Sequence, residues 1–415
     1  MADDALMAGP FRPTDDAQVR EVVAWAAARA MPLEVVGAGT KRGLGRPGNA
    51  AAALDLSRFR GIGWYEAAEL GLAAAPGTPV AEITAALAAA RQQLAFEPPD
   101  LGPLLGAGAG QATIGGILAC NLSGPRRIKA GAARDHFLGL HAVSGRAESF
   151  KSGGRVVKNV SGYDLCKLLA GSYGTLAVLT DITLKVLPAP EKTRTVLVFG
   201  LDDGAAVRAL AGAAASSLEP SGLAHLPAAV ARASGVDYVS GAGAAVTAVR
   251  VEGTEASALT RCTALRELLG AFGAIEELHG RNSGALWREI ADVAPFVAPR
   301  GRVVWRLSLP PAQAPAVVAD IARALDAAWY YDWAGGLVWL AAPADGDGGA
   351  NAVRGAIARI GAGGHATLVR ADAELRARIP VFQPQAPALA ALARRIKQQF
   401  DPEGVLNPGR MAAEA

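Results

Sequence analysis

Cysteine is nearly absent. Cys120, Cys166 and Cys262 are the only three in 415 residues; they lie far apart, and no C-x-x-C pair occurs. An odd, scattered set of thiols predicts a reduced compartment and cannot by itself ligate an iron–sulfur cluster. An excess of charge of one sign is missing too. The 41 Lys and Arg are interspersed with 38 Asp and Glu for a net +3, which excludes the basic stripe of a DNA- or RNA-binding surface. The start, MADDALMAGP, has acids where a secretory leader needs positive charge, and no apolar stretch follows, so a cytoplasmic location is expected. Long apolar runs are lacking but for Leu104–Leu122. That run holds Gln111, Thr113, Asn121 and five glycines between Gly106 and Gly116, a composition that predicts a buried glycine loop and no direct membrane span.

What is present is enough apolar sequence, 51% against 19% charged, to bury two or three cores. Asp15 is placed to cap a helix carrying Val19, Val22, Val23, Ala26 and Ala27, which Pro32 follows. LEVV runs as a strand into glycines, AAALDL reads as a second strand, and Thr78-Pro79 starts a helix with Ile83, Leu87, Ala90 and Leu94 on one side. Residues 98–191 are glycine-dense and end in GTLAVLTDITLKVLP, a strand or hairpin. Beyond Pro190 the pattern becomes strand, helix 203–217, a weak strand near 222, strand, helix 256–270, strand. It then repeats as RVVWRLSLP, helix 313–327, AWYYDW, GLVWLAA, helix 350–360 and HATLVRA. Both halves spell β-α-β-β-α-β, the ferredoxin-like order, and are expected to share one antiparallel sheet. A helix, PALAALARRIKQQF, and the tail DPEGVLNPGRM close the chain. The expected fold class is α+β, with domains at 11–190 and 191–375 and a C-terminal segment, 376–415, that returns to the first.

The run GAGTKRG is the sharpest motif. Gly37 and Gly39 follow a strand, so the backbone can turn with positive φ and aim successive amides at one point, as a phosphate nest does. A Rossmann fingerprint is excluded because Arg42 stands where its third glycine belongs and LGRPGN cannot start a helix; no Walker sequence occurs. By itself the run also reads as an ordinary turn. Further glycine runs, GAGAGQATIGG at 106–116 and GSYGTLAVLT at 171–180, suggest several loops wrapping one long phosphate-bearing cofactor.

Gly37–Gly43, Ala112–Gly116, Gly171–Val178 and Asn407-Pro408-Gly409 together resemble, in that order, the loops of the vanillyl-alcohol oxidase and para-cresol methylhydroxylase superfamily of FAD proteins. The segment RRIKAGAARDHFLGL…GYDLCKLLAGSYGTLAVLTDITLKVLP is similar to its 2-hydroxy-acid dehydrogenase branch, above all to the E-type FAD-binding subunits of bacterial glycolate oxidases. The resemblance implies a bipartite para-cresol-methylhydroxylase-type (PCMH-type) FAD-binding domain with a double ferredoxin-like cap. It implies FAD contacts at Gly37, Ala38, Gly39, Thr40, Lys41, Arg42 and Gly43, at Asp100, Ala112, Thr113, Gly115 and Gly116, at Asn121, Gly124 and Arg134, at Gly174, Thr175 and Val178, and at Asn407. It further implies a complex with a homologous catalytic flavoprotein subunit and an iron–sulfur subunit, a small 2-hydroxy acid as substrate, and attachment to the inner membrane face only through partners.

Two departures stand out. Thr40 and Lys41 occupy the stretch where relatives attach FAD through histidine, so the flavin is expected to be noncovalent. The paired cap histidines of single-chain relatives are missing: GGHATLVRAD keeps only His365, and of the other histidines only His136 and His141 lie close together. No metal site is expected. Arg134 is a candidate for binding a substrate carboxylate, or pairs structurally with Asp135. Lys158, Tyr163 and Asp164 form a polar cluster in which Ser161 and Asp164 read first as caps. His365 reads as a structural histidine before a base, and Lys41 and Arg42 either neutralise a diphosphate or face water. AWYYDW and Trp339 read as sheet core or a partner contact. Three functions follow: a subunit of a glycolate-oxidising complex, a self-sufficient 2-hydroxy-acid dehydrogenase, or a non-catalytic scaffold.

Overall fold

Asp15 accepts a hydrogen bond from Gln18 N and starts the helix Asp16–Ala28, whose Val19, Val23 and Ala26 are fully buried. The structure, a computed structural model, describes residues 10–155, 162–361 and 363–413, and within them the chain forms two compact units. The first comprises the chain up to Leu122, Gly131–Ala189 and the chain from Pro384 onward; the second comprises Ser123–Ala130 and Pro190–Gln383.

In the first unit β1 (Leu33–Val36) pairs in parallel with β2 (Ala52–Asp55). Leu406 bridges Leu33, also in parallel, so the chain's end extends this small sheet. The apolar face of the first helix closes on it with Leu33, Leu54, Val405 and Leu406. A five-stranded antiparallel sheet follows: β3 (Ile62–Glu66), β4 (Gly71–Ala74), β6 (Phe137–Ser144), β7 (Ser149–Gly153) and β8 (Ala177–Lys185), in the order β3-β4-β8-β6-β7, while β5 (Gln92–Gln93) pairs with β9 (Leu187–Pro188). Ile83 and Leu87 of the helix Val80–Ala89 enter its core beside Ile114, Ile117 and Leu118, residues of the longest apolar run in the sequence. That run is a loop followed by the helix Ile114–Ala119; against the expected burial, Gly106 and residues 108–111 are exposed, since these residues offer little apolar side chain to bury. No helix among the described residues is long and apolar enough to cross a membrane.

The second unit is one eight-stranded antiparallel sheet. Its strands are β10 (Lys192–Phe199), β11 (Gly222–Leu226), β12 (Val246–Gly253), β13 (Ile275–His279), β14 (Arg302–Ser308), β15 (Ala328–Asp332), β16 (Leu337–Pro343) and β17 (His365–Arg370). The order β13-β10-β12-β11-β15-β16-β14-β17 is two ferredoxin-like sheets joined at His225 and Tyr331. The helices Asp203–Ala215 and Glu255–Gly270 bury Leu210, Cys262 and Leu265 in the first half-core, and Ala314–Ala324 and Ala350–Arg359 bury Val318, Ile321 and Val353 in the second. A further helix, Gly280–Ala291, seats Trp287 over Arg250, 4.6 Å from guanidinium carbon to ring centre.

Two stretches differ from the expected boundaries. Ser123–Ala130 groups with the second unit because Arg126 makes a bidentate pair with Glu252 at 2.8 and 2.7 Å and Lys129 reaches Glu219 at 3.0 Å. Residues 376–383 stay there too, since Leu368 N donates to Val381 O and Ala366 N to Gln383 Oε1.

Candidate functional site

At the end of β1 the chain enters Gly37–Gly43, and Gly39 turns with φ of +74°. The N–H groups of Ala38, Gly39, Thr40 and Lys41 donate to no other group among the described residues, whereas the amides of Arg42 and Leu44 close the loop on Gly39 O and Lys41 O. Four successive unpaired donors facing one hollow form an anion nest. The loop lies so close to Thr113 that a Cβ on Gly37 would stand 2.4 Å from its Oγ1. The hollow is lined by Val35–Arg42, Thr113, Gly116, Ala119, Cys120, Tyr173, Asn407 and Arg410.

Two basic side chains share this hollow. Burial lowers the Lys41 pKa, against the pull of Cys120 and Asp100. Arg410 donates to Lys41 O at 2.9 Å, and its carbonyl accepts from Arg46 N at 2.8 Å. Cys120 is held as a neutral thiol, its pKa pushed by burial up to about 11. The tail closes the hollow: Asn407 Oδ1 accepts from Val35 N and its Nδ2 donates to Tyr173 O, both at 2.8 Å. A buried clamp fixes that tail. Lys397 Nζ donates to Thr175 O, Leu406 O and Asp401, and Asp401 accepts from the amides of Val405 and Leu406.

The expected contact residues therefore divide. Gly37–Arg42, Thr113, Gly116 and Asn407 line one hollow, while Gly43 stands against Leu105. Arg42 also pairs with Glu34 at 3.0 Å. Asp100 folds its own loop by accepting from Gly102 N and Gly110 N, and the Gly115 amide donates to Pro76 O. The Ala112 and Val178 side chains are in hydrophobic cores. Gly174, at φ +68°, sits against Asn407, and Thr175 bonds Ser172 O. Asn121 accepts from Arg134 N. Gly124 belongs to the second unit, where its carbonyl accepts from Trp333 Nε1 at 3.1 Å. Tyr173 and Arg410 escaped the sequence reading, although NPGR places Arg410 three residues after Asn407.

Of the candidate catalytic groups, Arg134 and Tyr163 belong to the first unit and His365 to the second. Arg134 is exposed, and Asp135 turns to Ala132 N. Tyr163 is 89% exposed; Asp164 caps the helix Leu165–Leu169 through Lys167 N, while Lys158 and Ser161 lie outside the described residues. His365 opens β17 in the second unit. His136 is buried against Phe96 while His141 is exposed beside Asp181, and among the described residues no three ligating side chains meet in a metal cluster. A larger groove of the first unit, about 750 Å³, runs past Asp16, Arg60, His141 and Lys151, but there Ser149 and Thr180 both bond Asp16.

Residues 8–152 match the family described as FAD binding domain, and residues 382–411 the C-terminal domain of FAD linked oxidases. The chain is 38% identical to glycolate oxidase subunit GlcE of Escherichia coli over 92% of its own length and 93% of that protein's. It belongs to the GlcE family. This GlcE-family chain is also 34% identical to glycolate oxidase subunit GlcD of Bacillus subtilis, over 32% of its length and 27% of that protein's. Its fold is that of p-cresol methylhydroxylase, with a TM-score of 0.71 at 14% identity, covering 97% of this chain and 88% of that one. The cofactor is FAD and the class an FAD-dependent oxidoreductase. The hollow fits that group, since four free amides with Lys41 and Arg410 suit a diphosphate.

Proposed function

We propose that this chain is the FAD-binding subunit of a complex that oxidises glycolate to glyoxylate, with the first unit as its flavin domain. The observation that carries the reading is the nest at Ala38–Lys41 with Lys41 and Arg410 beside it. Bound there, the flavin supplies the acceptor for the hydride of a 2-hydroxy acid. The loop amides hold the diphosphate and the two cations balance its charge, Lys41 regaining in the ligand the stabilisation that burial denies it. Asn407 locks β1 to Tyr173 and so keeps the hollow in shape. The attachment is noncovalent.

Electrons leave through an iron–sulfur protein on another chain. Cys120, Cys166 and Cys262 are separate free thiols, the latter two pushed by burial up to about 12, which suits a protein that delegates its cluster. The purified chain should be yellow and release its flavin on acid precipitation. Anaerobic glycolate should bleach the flavin only when a GlcD-type and an iron–sulfur partner are present. A colourless chain that cannot take up FAD would overturn the proposal, and bleaching without partners would replace it with a self-sufficient dehydrogenase.

A further inference from the structure

The groove of about 750 Å³ in the first unit is a second hollow, which the flavin reading does not use. It lies on one face of the five-stranded sheet. The helix Asp16–Ala28 packs on that face over Val143 and Val178, and beyond its first residue, Asp16, the face continues as the groove. Direct cross-strand partners share a face, and Lys151, His141 and Asp181 form such a row across β7, β6 and β8. The lining then passes Ala75, just after β4, and reaches Gly61, Ile62 and Gly63 at β3. The groove therefore crosses the sheet from one edge strand to the other, about 19 Å over the intervening strand spacings. Its second wall comes from the chain after β7. Gly153 turns with φ of +68° and carries Gly154 back over the face, where its N lies 2.7 Å from the place a Cβ on Gly139 would take. Arg155 thereby reaches Trp64 of β3, 4.8 Å from guanidinium carbon to ring centre.

The charges along this groove are unevenly matched. Asp16 accepts from the hydroxyls of Ser149 and Thr180 at 2.6 and 2.8 Å, and Asp181 faces His141 at 3.7 Å. Burial raises the Asp181 pKa, against the pull of His141 and Arg155. Arg60, Lys151 and Arg155 are exposed, and none of them makes an ion pair with a carboxylate among the described residues. Lys151 stands on one edge strand, Arg60 and Arg155 beside the other. A small acid cannot reach both ends, whereas roughly six extended residues span that length. A second copy of the same face would set cations against cations, which disfavours self-association.

We infer that this groove docks an extended acidic segment of a partner subunit, laid across the strands from Lys151 to Arg60 and Arg155. That the partner belongs to a glycolate-oxidising complex rests on the proposed function; the shape and charge of the groove do not. The test takes the full-length chain coexpressed with a GlcD-type and an iron–sulfur partner and treats the complex with a carbodiimide, which condenses a touching amine and carboxylate into an amide with loss of water. Mass spectrometry should find Lys151 joined to an Asp or Glu of a partner, and K151R, which keeps the charge, should assemble without that link. R60E/K151E/R155E should weaken assembly about tenfold or more, with the melting temperature and FAD content of wild type. Assembly unchanged in the triple variant would overturn this inference alone. So would Lys151 links confined to its own chain, which leave no partner carboxylate in the groove, or links between two copies, which assign it to self-association. A wild-type chain that joins neither partner would overturn both this inference and the proposed function.

Discussion

Gly37→Ala tests the cradle most directly. The added Cβ would stand 2.4 Å from Thr113 Oγ1 and 3.2 Å from its Cγ2, where carbon atoms rest at roughly 3.5 Å or more. Thr113 is buried and caps the helix Ile114–Ala119, so the loop must move by about 1 Å instead. Overpacking of this kind costs about 1–3 kcal/mol in stability. For the ligand the loss is larger in effect, because each hydrogen bond to a charged group contributes about 1.5–3 kcal/mol and successive amides move together. Misaligning one or two gives about 2–4 kcal/mol, or roughly 30- to 700-fold weaker FAD binding. Thr113→Ala removes the obstructing atoms, so G37A/T113A should recover at least about 1 kcal/mol relative to the sum of the single changes. Quenching of flavin fluorescence on titration of apoprotein reads all four affinities. A G37A protein within twofold of wild type, or strict additivity in the double variant, would refute the packing argument.

Three further outcomes are expected. Glu252→Gln removes the counter-charge of Arg126 and Arg250 and should cost about 3–5 kcal/mol in urea unfolding; equal midpoints would contradict it. Despite burial, those arginines hold Glu252 at about 2, so its contribution is complete above the ordinary 4.5 and fades as pH falls from there to about 2; E252Q should flatten that part of the stability profile. Lys397→Met leaves Asp401 buried without its partner and should free the tail, seen as about 3–5 kcal/mol of lost stability and early proteolysis after Asp401. Because burial lowers the Lys41 pKa, FAD affinity should fall as pH rises through that depressed value and the ammonium is lost, and Lys41→Met should bind weakly with no such dependence.

Local signals carried much of this fold. The capped first helix, the glycine turn after β1 and the twofold β-α-β-β-α-β order all follow from periodicity and turn chemistry, and the structure has each. The helix Gly280–Ala291 escaped because its first turn, GRNS, reads as loop; its apolar stripe of Leu286, Trp287 and Ile290 becomes meaningful only against Tyr330 and Arg250. Ser123–Ala130 looked like part of the flavin domain since it lies between two of its segments, and only the distant Glu252 and Trp333 reassign it. Within the cradle, the donors were legible and the acids were not. Nothing local tells that Arg42 turns to Glu34 or that Asp100 folds its own loop.

Those two acids bear on why the hollow suits an anion. A carboxylate facing the nest would repel a diphosphate, and both nearby ones are engaged in shaping the loops: Glu34 by Arg42, and Asp100 by the amides of Gly102 and Gly110. The Cys120 thiol stays neutral. Lys41 and Arg410 are thus the charges that a ligand meets, in surroundings where burial strengthens each interaction. Asn407 is a neutral amide at the point where the tail joins β1, and it serves both strand and loop with one oxygen and one nitrogen. An aspartate there could accept from Val35 N but not donate to Tyr173 O, and it would bring a negative charge to the hollow's edge. On the proposed reading, the tail therefore has to be neutral where Asn407 joins β1 to Tyr173.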